Sequence, residues 1–132
     1  MSSIIEVVAL ALQRTSDNRF MLAKRGPNET GAGYWEFPGG KIERGETQRQ
    51  ALVREIGEEL SFVIKPELLE LVSTNDHQYG AKVFRIFLWK YKVAADPLVT
   101  LVDHDQIIWC DPFEMRALKV SAGDLTFIEK LL

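Results

Sequence analysis

Three glutamates in the segment 47–60 have the spacing of a divalent-metal site. If this segment is a helix, Glu55, Glu58 and Glu59 follow one another at i, i+3 and i+4 and lie on one face. Neighbouring like charges destabilise a helix by about 0.2–0.5 kcal/mol per pair, and the helix dipole disfavours carboxylates in its C-terminal half. The pattern is typical either of a solvated acidic face or of a site for Mg²⁺ or Mn²⁺, whose charge would remove the repulsion.

Two adjacent glycines precede this helix. Gly39 and Gly40 follow a short predicted strand at 35–37, and the chain is expected to turn sharply at 38–40. Glycine allows a backbone to approach a ligand closely, and helix N termini and turn amides favour phosphate oxygens. The glycines and the glutamates together indicate metal-assisted chemistry on a phosphate-containing substrate.

The remaining sequence predicts the elements that must position these groups. Aliphatic and β-branched runs bounded by turn residues predict strands at 4–12, 19–24, 35–37, 68–73, 82–93 and 106–110, with a loop at 26–34. Helices are predicted at 47–60, after the N-cap pair Asp111-Pro112, and at about 122–132. In the first helix an apolar stripe faces the core, formed by Leu52, Val53, Ile56 and Leu60. This order predicts an α/β fold with a mixed sheet between helices, in a single domain spanning 1–132.

Composition narrows the function classes. The 132 residues are 46% hydrophobic and 27% charged, with a net charge of −3 and one cysteine, Cys110. There is no apolar run of the ~20 residues that a membrane span needs and no signal peptide pattern, so we expect a cytoplasmic protein with no membrane partner. The acidic balance argues against nucleic acid as a partner. A polyanionic substrate would therefore depend on metal ions for its attraction.

The segment from Gly40 to Phe62 resembles the Nudix box. Its order is Gly40, five residues, Glu46, seven residues, Arg54-Glu55-Ile56, one residue, Glu58-Glu59, one residue, Ser61-Phe62. The preceding run 35–43 is similar to the one that leads into the box in MutT proteins. The chain thus resembles a Nudix hydrolase of the MutT-like branch across nearly its whole length. This resemblance implies the Nudix α/β/α sandwich and hydrolysis of a nucleoside diphosphate linked to another group.

The resemblance also implies roles for the box residues. The metal ligands would be Glu55, Glu58 and Glu59 with the backbone carbonyl of Gly39, and either Glu55 or Glu58 would be the base that activates water. Arg54 would orient the carboxylates through salt bridges. Gly40 and Glu46 would serve the architecture of the loop and the helix.

A further metal ligand is expected outside the box, six residues before Trp109. Asp103 stands at this position, where relatives commonly have glutamate. The alternative is that 103–105 is an ordinary polar turn.

One position departs from the box. Ser61 replaces its second glycine. A serine in the left-handed conformation that often ends a helix is strained by roughly 1 kcal/mol, unless the helix ends differently.

Substrate choice is predicted to depend on residues outside the box. Arg25 matches an arginine that contacts substrate phosphate in MutT relatives, with an ordinary surface arginine as the alternative. Trp35 and Phe37 flank the expected base pocket or belong to the core. Asp124 is either a base reader, since a carboxylate accepts a hydrogen bond from groups such as cytosine N4, or part of a helix cap with Ser121.

The implied reaction converts a nucleoside triphosphate and water to the monophosphate and pyrophosphate, with Mg²⁺ or Mn²⁺ as the cofactor. Modified or pyrimidine nucleotides, such as 8-oxo-dGTP or (d)CTP, are the expected substrates, in nucleotide-pool sanitation. An RNA 5′-pyrophosphohydrolase, or a hydrolase of another nucleoside diphosphate derivative, is the alternative within the family. A non-catalytic sensing domain is the alternative from another class, although such domains typically lose box glutamates and all are present here. Both a monomer and a homodimer are compatible with the sequence.

Overall fold

A computed structural model describes residues 3–132. Its strands are β1 (Ser3–Arg14), β2 (Arg19–Arg25), β3 (Trp35–Glu36), β4 (Gly39–Lys41), β5 (Glu70–Tyr79), β6 (Lys82–Val93) and β7 (His104–Cys110). Its α-helices are α1 (Gln48–Leu60) and α2 (Pro112–Met115), and 3₁₀ helices cover Pro66–Leu68 and Ala122–Leu131. We refer to Ala122–Leu131 as the C-terminal 3₁₀ helix.

The strands form one mixed sheet. Its main order is β3-β2-β1-β6-β5, with β7 paired to β2 and β4 paired to β1. The long pairing of β1 with β6 is parallel, and the other strand pairs are antiparallel. Strand β1 pairs with β2 only at its end, through Gln13 and Arg14, and with β4 through residues 7–9. This arrangement places Gly39 and Gly40, which lie in β4, beside the central strand β1.

The two faces of the sheet are covered by different helices. Alternate residues of β1 point to opposite faces, because side chains of a strand alternate. Val8, Leu10 and Leu12 pack in one core cluster with the buried side of α1. Ala9 and Ala11 pack in the other with α2 and the C-terminal 3₁₀ helix. The predicted α/β/α sandwich is confirmed.

Two predicted elements differ from the structure. The chain does not turn sharply at Gly39 and Gly40 but continues as β4, because the backbone there pairs with β1. Strand β5 begins at Glu70 and runs to Tyr79, well beyond the predicted 68–73. Its second half is polar because the strand lies at the end of the sheet order, so its sequence lacks the apolar run of a central strand.

Within residues 3–132, no helix has both the length and the apolar character needed to cross a membrane.

Helix α1 has well-defined ends. Thr47 is its N-cap and forms a reciprocal capping box with Gln50, so two free backbone N–H groups are satisfied. At the other end Ser61 adopts φ 54° and ψ 32°, the left-handed conformation, and its N–H donates to the carbonyl of Gly57 at 3.1 Å. The helix therefore ends as a glycine would end it, and the serine bears the strain.

Replacing Ser61 with glycine should stabilise the protein. Removing the Cβ relieves the left-handed strain, and the larger entropy of glycine in the unfolded chain offsets part of the gain, leaving about 0.5–1 kcal/mol. A melting temperature higher by about 2–5 °C is expected by circular dichroism. Ser61→Ala keeps the Cβ and is the matched control. Equal melting temperatures for the glycine and alanine variants would contradict this account.

Candidate active site

The two glycines of β4, Gly39 and Gly40, are packed so closely that neither position has room for a side chain. A Cβ built on Gly39 would lie 1.9 Å from the carbonyl oxygen of Val8, and one on Gly40 would lie 2.4 Å from the carboxyl carbon of Glu55. Neither glycine has a positive φ, so closeness and not an unusual backbone conformation requires glycine here. The backbone N–H of Gly39 also donates to Oε2 of Glu59 at 3.1 Å. Strand β4 therefore lies directly against the carboxylates of α1.

Glu59 stands among other negative charges. Its burial, followed by the nearby carboxylates of Glu55, Glu36 and Asp103, raises the pKa of Glu59 to about 9. The hydrogen bond from Gly39 opposes this shift but does not overcome it. The site therefore gathers oxygen ligands whose mutual repulsion a divalent cation would relieve, as Mg²⁺ and Mn²⁺ sites do.

Arg54 connects the loop before α1 to the carboxylates. Its Nε and Nη2 donate to the two oxygens of Glu46 at 2.7 and 2.9 Å, in a bidentate pair. Its Nη1 lies 3.0 Å from Glu55 and 3.4 Å from Glu58. The Arg54 guanidinium lowers the pKa of Glu46 to about 2, and these carboxylates raise the pKa of Arg54. This geometry is what an orienting role for Arg54 requires.

Glu58 lies further out than its two neighbours on α1. Its side chain is 61% exposed, whereas that of Glu55 is 16% exposed. In the described part of the chain, no three His, Cys, Asp or Glu side chains already form a group that could hold a metal ion. The oxygen atoms nevertheless fit a divalent cation. The carboxylates of Glu55 and Glu59 lie against Gly40 and Gly39, in a space that a single added Cβ would fill. Glu55 and Glu59 would supply oxygen ligands, and Glu58 would do so after its side chain rotated inward.

The segment before β7 reaches this cluster from the other side. The backbone N–H of Val102 donates to the carbonyl of Glu59 at 3.3 Å. The charge of Asp103 is one of the causes that raise the pKa of Glu59. Asp103 is exposed, but His104 is buried as the first residue of β7. The bend at 102–103 leads directly into β7, so residues 104 and 105 belong to a strand, and the metal role of Asp103 stays a prediction.

A cavity of about 550 Å³ opens beside the glycines on the opposite face from α1. Gly39 and Gly40 form one part of its wall, and Arg25, Phe37 and Asp124 form others. The sequence did not single out several further polar and aromatic wall residues from the loop after β2 and from β3, β5 and β6, namely Tyr34, Glu36, His77, Tyr79 and Phe84. No local spacing links them, although a charged Glu36 between two aromatic residues was a usable signal. The cavity thus joins the box to three predicted substrate-binding residues.

Asp124 lies deep in this cavity and is only 6% exposed. Its Oδ2 accepts a hydrogen bond from the backbone N–H of Phe37 at 3.1 Å, and Ser121 makes no side-chain cap for the helix. The helix-cap alternative is therefore wrong, because the carboxylate bonds a segment 87 residues away. Burial, and then the charge of Glu36, raises the pKa of Asp124 to about 7.

Arg25 borders the cavity with its guanidinium already held in place. Its Nε donates to Oε1 of Glu36 at 2.8 Å, and its Nη1 donates to the carbonyl of Thr30 at 2.6 Å. Other arginines of the surface are held in the same way, for example Arg85 by Asp76, so the phosphate role of Arg25 stays a prediction. The contacts orient Arg25 and tie it to the loop that borders the cavity.

Trp35 does not line the cavity. Its indole packs against the second core cluster, with the ammonium of Lys24 5.9 Å from the ring centroid. Phe37 is 3% exposed and serves both the core and the cavity wall. Of the two alternatives given for these aromatic residues, Trp35 follows the core alternative, and Phe37 belongs to the core and to the cavity wall.

Comparison with known proteins identifies the family of this chain. A sequence profile described as the NUDIX domain matches residues 5–131. The chain belongs to the Nudix family. Its box, at residues 40–62, is the segment that carries the carboxylates described above.

Named Nudix relatives match much of the chain. It is 33% identical to the CTP pyrophosphohydrolase of Escherichia coli K12 over 129 residues, which cover 98% of this chain and 92% of that protein. It is 33% identical to the 8-oxo-dGTP diphosphatase of the same organism over 82 residues, which cover 62% of each chain. The chain is therefore a Nudix hydrolase, a pyrophosphohydrolase of the nucleotide-pool type.

The fold has a close structural counterpart. The crystal structure of a MutT protein from Methanosarcina mazei Go1 superposes with a TM-score of 0.84 at 22% identity, covering 98% of this chain and 94% of that chain. This likeness supports the MutT-like Nudix fold.

Replacing Gly40 with alanine should abolish most activity without unfolding the protein. The added Cβ would meet the Glu55 carboxylate at about 2.4–2.6 Å and push it out of place. A displacement of a catalytic group by about 1 Å can cost about 100-fold in rate, so we expect a fall in kcat/KM of that order. Steady-state assays with CTP and Mg²⁺ would measure it.

Gly57→Ala is the matched control within the Nudix box. A Cβ on Gly57 would meet nothing within 4 Å, and the residue lies inside α1. This variant should keep full activity and gain about 0.5–1 kcal/mol of stability. If both alanine variants kept wild-type kcat/KM, close packing of Gly40 against Glu55 would have no role in the reaction.

Proposed function

We propose that this Nudix hydrolase is a metal-dependent nucleoside triphosphate pyrophosphohydrolase that prefers cytosine nucleotides. It would convert CTP or dCTP and water to the monophosphate and pyrophosphate. The near full-length similarity to a protein named CTP pyrophosphohydrolase supports the choice of substrate. Oxidised purine nucleotides are the second candidate, since shorter matches carry the name 8-oxo-dGTP diphosphatase.

One observation carries the proposal: a single cavity connects the buried carboxylate of Asp124 to Gly39 and Gly40. Asp124 lies in that cavity with one oxygen engaged by Phe37, which leaves the other available to accept a hydrogen bond from a base amino group. Gly39, Gly40 and Arg25 line the same cavity. A nucleotide with its base at Asp124 would thus extend its phosphates toward the box carboxylates.

In this reaction the chain's residues would hold the substrate and move a proton. Arg25, fixed by Glu36 and Thr30, would bind phosphate oxygen. Either Glu55 or Glu58 would accept the proton of the attacking water, with Arg54 orienting both.

Glu55, Glu58, Glu59, Asp103 and the carbonyl of Gly39 would hold Mg²⁺ or Mn²⁺. The bound cations supply positive charge that neutralises the phosphates and the departing pyrophosphate.

A substrate panel tests the proposed reaction. CTP, dCTP, 8-oxo-dGTP, dGTP, ADP-ribose and a 5′-triphosphorylated RNA would each be incubated with the protein and Mg²⁺, and the products resolved by ion-exchange chromatography. We expect monophosphate and pyrophosphate, with the highest kcat/KM for CTP or dCTP. Release of inorganic phosphate in place of pyrophosphate would refute the proposed cut, and a preference for 8-oxo-dGTP or RNA would refute the proposed substrate.

The variant Glu59→Gln tests whether the activity depends on the carboxylates of residues 40–62. Glu59→Gln keeps the size of the side chain and its acceptor oxygen for Gly39, but cannot ionise, so it offers a bound cation no negative charge. Pyrophosphate release should fall by about 100-fold or more, since charge stabilisation at the reacting phosphates depends on this group. Wild-type turnover in this variant would remove Glu59 from the proposed metal site.

The preference for cytosine should depend on pH through Asp124. Below about pH 7 this carboxyl becomes protonated, since burial raises the pKa of Asp124 to about 7. The ionised form accepts a bond from cytosine N4, whereas the protonated form can donate to O4 of uracil. The ratio of kcat/KM for CTP to that for UTP should therefore fall as pH decreases from 8 to 6, with a midpoint near the pKa of about 7.

The variant Asp124→Asn provides the control because its amide does not titrate in this range. Its CTP-to-UTP ratio should not change between pH 6 and 8. Stability gives an independent measurement: the folded protein holds this proton more tightly than the unfolded chain, so the carboxyl lowers stability as pH rises from 3.8 to about 7. The asparagine variant should lose that dependence. A pH-dependent ratio in the variant would mean that another group reads the base.

A further inference from the structure

The segment that carries Asp103 is attached to the protein at three points. The N–H of Val102 donates to the carbonyl of Glu59 at 3.3 Å, and the N–H of Gly26 donates to the carbonyl of Asp103 at 3.2 Å. The ring Nε2 of His104 lies 2.8 Å from Oε2 of Glu36. Each attachment joins residues 102–104 to a different part of the site, namely α1, the loop after β2, and β3.

Gly26 permits an unusually close approach. A Cβ built on Gly26 would lie 2.7 Å from the carbonyl oxygen of Asp103, closer than side chains pack. The pairing of β2 with β7 is also irregular between Lys24 and Arg25, where Arg25 pairs with His104. The backbone at Asp103 is therefore drawn inward, against the loop that follows β2.

Such placement matters for an aspartate because only one methylene separates its carboxylate from the backbone. The reach of Asp103 toward Glu59 is set by where residues 102–104 lie. A longer acid could correct a backbone displacement by changing its rotamer, whereas an aspartate has little length with which to do so.

His104 is buried, and its contact with Glu36 is shared. An ionised Glu36 only accepts hydrogen bonds, so Nε2 of His104 donates to one of its oxygens while Nε of Arg25 donates to the other. The second ring nitrogen, Nδ1, is the one buried side-chain N or O atom in residues 3–132 without a partner. Within the described residues the bond to Glu36 is therefore the one side-chain hydrogen bond that orients the ring.

We propose that His104 is a positioning residue for Asp103: its bond to Glu36 holds the 102–104 segment where the short aspartate reaches the metal site. The inference rests on the proposed function, since it takes Asp103 as a metal ligand. His104 itself contacts neither metal nor substrate and acts through the segment that it anchors.

Mn²⁺ binding to the substrate-free protein tests the role of His104 without relying on turnover. Free Mn²⁺ is measured by electron paramagnetic resonance at pH 7.5 for wild type, His104→Gln and His104→Met. Glutamine keeps a donor nitrogen near the position of Nε2, whereas methionine has a similar length and no donor. Partners that orient metal ligands typically contribute 10–100-fold in affinity, so methionine should weaken binding by about 10-fold and glutamine by less than about twofold.

Coupling to Asp103 distinguishes positioning from a general loss of structure. Asp103→Ala should weaken Mn²⁺ binding by about 10-fold, and adding His104→Met to it should weaken binding little further. Asp103→Glu should restore part of the affinity of His104→Met, because the added methylene extends the reach. Asp105→Ala, an exposed neighbour that pairs with Lys24 at 3.9 Å, is the control and should bind as wild type.

Melting curves identify any variant that fails to fold. In that event Glu36→Gln tests the same contact from the other partner. Its amide has one acceptor oxygen for the two donors, His104 and Arg25, so this variant should also weaken Mn²⁺ binding.

Several results would overturn the inference. Wild-type binding in His104→Met or in Asp103→Ala would do so, as would equal weakening by glutamine and methionine, or a full additional loss in the double variant. These outcomes leave the proposed function intact if the wild type releases pyrophosphate from CTP. A wild type that neither binds Mn²⁺ nor releases pyrophosphate would instead overturn the proposed function.

Discussion

The close contact between β4 and the carboxylates of α1 is the constraint on which the site depends. Glycine at positions 39 and 40 lets the backbone lie against Glu55 and Glu59, and the N–H of Gly39 donates to the carboxylate of Glu59. Burying like charges together is unfavourable, and it raises the pKa of Glu59 to about 9. The protein tolerates this cost because Arg54 neutralises part of the charge and a divalent cation would neutralise the remainder.

The fold makes that contact possible because β1 pairs with three other strands. Strand β1 pairs with β6 along its full length on one side, while its other side is divided between β4 and β2. The division allows β4 to enter the sheet next to β1 and then lead the chain into α1. The same strand separates the two core clusters, so α1 and the cavity lie on opposite faces, with β4 accessible to both. Gly39 and Gly40 thus adjoin both the carboxylates of α1 and the cavity.

The sequence predicted the parts whose information is local. The bounds of α1 and β6 follow from periodic apolar residues and capping residues, and the box spacing identifies Arg54 and the glutamates. Strand β5 was predicted too short because an edge strand needs no apolar run. The roles of Glu36 and His104 were not foreseen, since they meet across 68 residues of sequence. For Trp35 the choice between pocket and core stayed open, because composition cannot tell a core aromatic residue from a cavity wall.

The separation of the cavity from α1 explains why the Nudix box says little about the substrate. The box must satisfy charge and geometry at the phosphates, which are common to all nucleoside triphosphates. The walls that would contact a base come from the end of β5, the first half of β6, the loop after β2 and the start of the C-terminal 3₁₀ helix. Those elements can change their side chains without disturbing the contact between Gly40 and Glu55. Asp124 is the exception, because it also bonds the backbone of Phe37, two residues before Gly39. A change there would alter the base pocket and the approach to the carboxylates together.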